Sequence, residues 1–166
     1  VGVLDEEKDL TGHKKLNLDK FSATMRRARD LYNMSPINIQ QLSRAVSDIN
    51  RMKLNDLKPK ISDIAETSTL GRDADVILAI FDSFSYIQEG VDKDLIGYEL
   101  NKLKDEKGVR YYRSLHILKN SFDANGISMG CAFMPQVGII KNMPKFPKDM
   151  KDEDYESIRN FSYFLL

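Results

Sequence analysis

Cysteine is nearly absent: Cys131 is the single one in 166 residues. One thiol excludes an internal disulfide and fits a reducing compartment. Histidine is almost as scarce. His13 and His116 lie far apart, and neither has a Cys or His neighbour at metal-ligand spacing. No apolar run approaches the roughly 20 residues of a membrane-spanning helix. The start, "VGVLDEEKDLTG", lacks the basic and then apolar pattern of a signal peptide. The phosphate-cradling pattern G-x-x-x-x-G-K-[ST] occurs nowhere, and no internal repeat is visible. By itself, the chain carries no recognisable nucleotide cradle.

What is present fits one domain. Hydrophobic residues make up 42% of the chain, enough for a normal core and against wholesale disorder. A domain of this size buries roughly 70% of the surface that its unfolded chain would expose. The net charge of zero hides an uneven distribution. Residues 1–60 carry 12 basic and 8 acidic groups, 61–100 carry 2 and 9, 101–148 carry 9 and 3, and 149–166 carry 2 and 5. Such blocks either set a basic surface against an acidic one or form ordinary solvated surface.

Periodicity then places the elements. "VGVL" is apolar and ends at once in the loop-like "DEEKDLTGHKK", so the start reads as a cut into an existing fold. Leu18, Phe21, Met25, Ala28 and Tyr32 recur at helical spacing, with Asn17 as a cap, and predict a helix over Leu18 to Tyr32. "SPINIQQL", Ser35 to Leu42, predicts a short strand with Pro36 at its start. Arg44 to Lys60 predicts a long basic loop with some helix. A short helix over Ser68 to Asp73 and a strand over Asp75 to Phe81 follow. Asp92 to Lys107 predicts a helix stopped by Gly108. Tyr112 to Asn120 and Ile127 to Phe133 predict strands joined by a turn at Asn125-Gly126, and "VGIIKN" extends the meander. The tail, residues 149–166, is acidic with aromatics that a docking helix would use. This order predicts an α/β sheet, parallel at first, with an antiparallel C-terminal meander.

Chemistry-bearing residues are few. His116 alternates with Leu115 and Ile117 in a strand, which favours a structural role. Cys131 in "GCAFM" reads as a small core residue rather than a nucleophile. Gln40 and Gln41 stand at a predicted strand end, where amides project into the ligand crevice of α/β sheets. On spacing alone, plain surface glutamines are the favoured reading. Lys119 stands at a strand end before a hairpin turn, placed to reach a phosphate or simply solvated.

Taken in order, "QQLSR", "SDIAETSTLGRDADVILAIFD" and "SLHILKNSFDANG" resemble the C-terminal part of the motor domain of DnaB-type hexameric replicative DNA helicases. That domain is a RecA-like P-loop NTPase fold. The family pattern reads roughly S-Q-L-N-R, then D-L-R-E-S-G-x-I-E-Q-D-A-D-V-I, then G-K-x-R-N-G. Asp63, Glu66, Asp73, Ala74, Asp75, Val76 and Ile77 fall in place. The resemblance runs from Asn17 to Met143 and is strongest from Gln40 to Leu78. It implies that residues 1–148 are a motor-domain portion lacking the Walker A loop and the Walker B strand, and that 149–166 form a tail.

The resemblance also implies roles. Gln41 matches the glutamine that senses the γ-phosphate, and Arg44 the arginine following it. Glu66, with Thr67 and Ser68, matches a loop that tracks the DNA backbone in a central channel, where small polar groups hold phosphates without reading bases. Arg51, Lys53, Lys58 and Lys60 would face the same channel. Lys119 matches a lysine reaching the neighbouring subunit's γ-phosphate, where a cation stabilises the transferring group. ATP and Mg²⁺ are the implied cofactors of the full-length protein, with none expected on this fragment alone. The implied partners are single-stranded DNA, further copies in a homo-hexamer, and a primase or helicase loader, with no membrane. The implied setting is the cytoplasm of a bacterium or phage-infected host.

Several positions depart from the pattern. Ser121 stands where the family has its arginine finger, Ala65 where it has arginine, Ser68 where it has glycine, and Asp82 where it has arginine. Ser83 to Tyr111 is long and reads as an inserted helix. These departures fit a divergent, phage-like relative. Two other classes stay open: a non-catalytic RecA-like module that binds DNA or protein, and a recombinase-like DNA-repair ATPase relative.

Overall fold

The computed structural model describes residues 3–43, 51, 57–64, 68–85 and 92–165. The first helix, α1 (Val3–Tyr32), is twice as long as its apolar stripe suggests. The segment "DEEKDLTGHKK" is helical rather than a loop, and Val3 and Leu4 open the helix instead of ending a strand. The reason is legible in retrospect. No proline interrupts the segment, and Glu, Lys and Leu, all good helix formers, fill more than half of it. Val1 and Gly2 lie outside the described residues.

"SPINIQQL" is not a strand. Among the described residues the segment joins no ladder; Ile37 and Ile39 are 87% and 94% exposed. Leu42 pairs in an isolated antiparallel bridge to Ile64, next to a Ser43 N–H donated to the Asp63 carbonyl at 2.7 Å. Strand-forming residues without an adjacent edge gain no ladder. Of the basic loop, Arg51 and residues 57–60 are described; Arg44 and Lys53 lie outside the described residues.

The sheet runs β1 (Val76–Phe81), β2 (Tyr112–Asn120), β3 (Ser128–Met134), β4 (Ile139–Asn142), in that order. Every pairing among the described residues is antiparallel. The expected parallel start does not appear among the described residues. The segment that was to supply it stands off the sheet, and among the described residues no strand pairs with the outer edge of β1. The short α2 (Ser68–Asp73) lies just ahead of β1, as its sequence predicts.

Register explains which face is covered. Ala79 faces His116 and Phe81 faces Ser114, while Tyr112 faces Ala132; all six are buried on one side. The other side carries Leu78, opposite Ile117, and Ile80, opposite Leu115. Leu78 and Ile80 are more than half exposed. Burying a side chain of this size is worth about 1.5–3 kcal/mol, so β1 presents an open apolar face.

Asp92 to Lys107 is not a helix. It folds as two short hairpin-like turns around a 3-10 turn at Leu100–Leu103. The Asp94 carboxylate accepts the N–H groups of Ile96, Gly97 and Tyr98, at 3.0, 2.7 and 2.8 Å. Gly97 sits at φ +111°, which ends any helical run. A local side-chain acceptor thus outcompetes the helix ladder. This segment builds the main core together with residues from the stretch 149–166. Tyr98, Leu103 and Tyr112 are sealed against Ile158 of α3 (Asp152–Arg159), with Phe161 and Phe164 packed at its margin. A final turn, α4 (Ser162–Leu165), follows. Among the described residues no helix is long and apolar enough to cross a membrane.

Candidate functional site

The Asp-Ala-Asp segment and the Lys119 segment meet at one end of β1. Asp73 closes α2 and Asp75 precedes β1, so the two carboxylates of the Asp-Ala-Asp motif flank a sharp change of direction. Both are held by α1. The Ser22 hydroxyl donates to Asp73 at 2.7 Å, and the Arg26 guanidinium stands 3.5 Å from the same oxygen. Arg29 donates to Asp75 at 2.9 Å. Ser22, Arg26 and Arg29 recur at helical spacing on one side of α1. The Ser22 hydrogen bond, ahead of the arginine charges, holds the Asp73 carboxyl below its usual range. Burial acts against it. This latch was not read from the sequence. The only signal was the run "MRRARD", whose charges fall off the apolar stripe.

Lys119 lies near the end of β2, next to the same corner. Its ammonium donates to the Arg72 carbonyl at 2.7 Å and the Gly71 carbonyl at 3.2 Å. It thereby covers carbonyls at the end of α2, where a cation is favoured. Ser121 donates its backbone N–H to the Asp75 carbonyl at 2.9 Å. Lys119 and Ser121 are thus both tied to the α2–β1 turn. Ser68 opens α2. Glu66 and Thr67 lie outside the described residues.

The basic loop is anchored rather than displayed at two of its cations. Arg51 donates to the buried Asp63 carboxylate at 2.6 Å and to the Lys58 carbonyl at 2.9 Å. The Lys58 ammonium donates to the Gly126 carbonyl of the β2–β3 turn at 3.0 Å. Lys60 is exposed, and its backbone N–H donates to Asp63 at 2.7 Å. Gln41 is exposed on the extended segment beside the Leu42–Ile64 bridge.

At the far end of β1, Asp82 faces two cations. Arg110 stands 3.2 Å and Arg113 3.5 Å from its carboxylate, and the Ser85 hydroxyl donates to it at 2.9 Å. The acid thus follows β1, and the arginines come from β2 and its approach. Under the sheet, His116 is buried between the hydroxyls of Ser128 and Ser114, at 2.8 and 2.9 Å. Burial lowers its pKa to about 4. Burial pushes the Cys131 thiol up, away from nucleophile chemistry.

Among the described residues no group of three His, Cys, Asp or Glu could hold a metal ion. With no phosphate loop in the sequence either, the described residues do not by themselves form a Mg²⁺–triphosphate cradle.

Neither a family model nor a curated protein matches the sequence. Solved structures do. One is described as an ATPase domain, at 21% identity and a TM-score of 0.55, over 76% of this chain and 36% of that one. Another is a DnaB-like replicative helicase, described with its interactions with primase, at 21% identity and a TM-score of 0.57. It is matched over 78% of this chain and 26% of its own length. The chain therefore shares its fold with part of the ATPase domain of DnaB-like helicases, and spans about a third or less of each.

Proposed function

We propose that the chain is the C-terminal portion of the motor of a replicative DNA helicase. In the full-length protein, ATP hydrolysis with Mg²⁺ would drive translocation on single-stranded DNA and unwinding of duplex. The carrying observation is the corner where Asp73, Asp75 and Lys119 meet: segments far apart in sequence, matched to one family by order alone, join at one end of one strand. The outer edge and open apolar face of β1 support the reading, because a larger α/β sheet would cover both.

In this reading Gln41 and Arg44 face the nucleotide. Lys119 exchanges its helix-end carbonyls for a phosphate across a subunit interface of a homo-hexamer. Glu66, Thr67 and Ser68 lie near the DNA with Lys53 and Lys60. Arg51 and Lys58 brace the base of that loop. A primase or loader is a partner by analogy with the second structural neighbour, and the setting is the cytoplasm of a bacterium or phage-infected host. The 166-residue chain alone is inactive as an ATPase.

A non-catalytic RecA-like module is the second reading, favoured by Ser121, by the inverted charge at Asp82 and by the internal use of Arg51 and Lys58. ATP hydrolysis by the full-length protein, with and without single-stranded DNA, separates the two. DNA-stimulated hydrolysis that falls at least about tenfold in Gln41→Ala and in Lys119→Ala supports the motor. Hydrolysis that is absent, or indifferent to both changes, sinks it.

A further inference from the structure

The loop between β4 and α3 holds an aromatic ring out of the protein. Phe146 is 51% exposed, while its chain neighbours are anchored. Met143 is buried and donates its N–H to the Gly130 carbonyl at 3.1 Å. The Tyr98 hydroxyl donates to the Pro144 carbonyl. Pro147 stands against Gly97, where an added Cβ would lie 3.5 Å from the proline ring. The Asp149 and Met150 N–H groups turn back to the Phe146 and Pro147 carbonyls, at 2.9 and 3.1 Å. Two ammonium groups, Lys145 and Lys148, lie over the ring, 5.4 and 5.6 Å from its centroid; both lysines are exposed, and a stacking base would displace one of them from the ring face.

We propose that Lys145, Phe146 and Lys148 form a contact for single-stranded nucleic acid, a base stacking on the ring while the lysines take the flanking phosphates. A preorganised ring loses little freedom on stacking, and an aromatic face beside cations accepts any base. Of the acids that follow, Asp152 is paired with Lys102 at 2.6 Å. Asp149, Glu153, Asp154 and Glu156 oppose the two lysines, so the stacking ring carries more of the contact than the charges do. The site deepens the motor reading by adding a strand contact outside the channel loop, carried by the insertion and tail. It rests on that reading only for the identity of its ligand.

The test uses the 166-residue chain, fluorescein-labelled oligothymidylate and fluorescence anisotropy over a salt series, without ATP. Phe146→Ala is expected to weaken binding about fivefold or more. An abasic oligonucleotide is expected to lose a similar factor against the unaltered chain and nothing against Phe146→Ala. Lys145→Gln with Lys148→Gln is expected to reduce the log–log salt slope by about 1.4. Phe146→Leu, which keeps an apolar group without a ring, should behave as Phe146→Ala and guards against a folding artefact. Unchanged affinity in Phe146→Leu, equal affinity for abasic and normal strands, or no DNA binding at low salt overturns the proposal. Tighter binding of an acidic peptide than of DNA overturns it in favour of a protein partner. None of these outcomes touches hydrolysis by the full-length protein, so the two readings fail separately.

Discussion

The half of the molecule that carries the motifs and the half formed by residues 92–111 (within the insertion expected from the sequence) with the tail are held together differently. In the first, polar latches dominate: Ser22 and Arg26 on Asp73, Arg29 on Asp75, Arg51 on Asp63. Several of its large apolar side chains stay uncovered, with Ile37 and Ile39 almost fully exposed and Leu78 and Ile80 more than half so. In the second, Tyr98, Leu103, Tyr112 and Ile158 have 0% exposure and pack in one cluster. The difference teaches where stability lives. Ion pairs and hydrogen bonds fix directions but contribute about 1 kcal/mol each. Buried apolar side chains contribute more, so the insertion and tail carry the fold while the motif half presents surface.

Leu103→Ala should separate the halves most sharply. Truncating a sealed core leucine costs about 2–5 kcal/mol, and chemical denaturation followed by circular dichroism should show that loss. A cost below about 1 kcal/mol would mean that the second half is not the stabilising core.

His116 sits at the seam, its ring 6.2 Å from that of Phe81 in an edge-to-face contact. Its folded pKa lies near 4, below the ordinary value of 6.5. The unfolded chain therefore binds a proton that the folded one refuses between those values. Stability should be fully present above about pH 6.5 and decline as pH falls toward 4, by on the order of 2–3 kcal/mol. Thermal melts across that window should show the slope, and His116→Gln should flatten it. An identical slope in the variant would place the acid sensitivity elsewhere.

The smallest effect belongs to the latched half. Arg51→Met takes the cation away from the buried Asp63 carboxylate, which keeps the Lys60 N–H, at a cost of about 1–3 kcal/mol. Amide hydrogen exchange should locate the loss around residues 57–64 and leave Tyr112 and Ile158 protected. Exchange that rises equally in both halves would erase the distinction between them.

Much of the sheet was legible because its signals are local. Alternation over Tyr112 to Asn120, the Asn125-Gly126 turn and the polar-to-apolar switch at Val76 each depend on neighbours in sequence. The failures have a common form. Asp92 to Lys107 has helical spacing, yet Asp94 captures three backbone N–H groups and Gly97 turns the chain. "SPINIQQL" has strand composition, yet a strand needs an edge to pair with. The site was half legible for the same reason. Residue types and their order pointed to one family. That Lys119 covers the end of α2, and that the Asp-Ala-Asp carboxylates are held by an arginine-rich helix, depends on contacts between residues far apart in the chain.

The run "SDIAETSTLGRDADVILAIFD" shows the division. Its sequence alone determined a short helix, a break and a core strand, because propensity and period act within a few residues. Its sequence did not decide what the polar half faces. The folded chain decided that Asp73 and Asp75 face α1, that Asp63 faces Arg51, and that Leu78 and Ile80 face outward. Those outcomes follow from register and packing: which strand lies beside which, and which charge lies within about 3 Å of which.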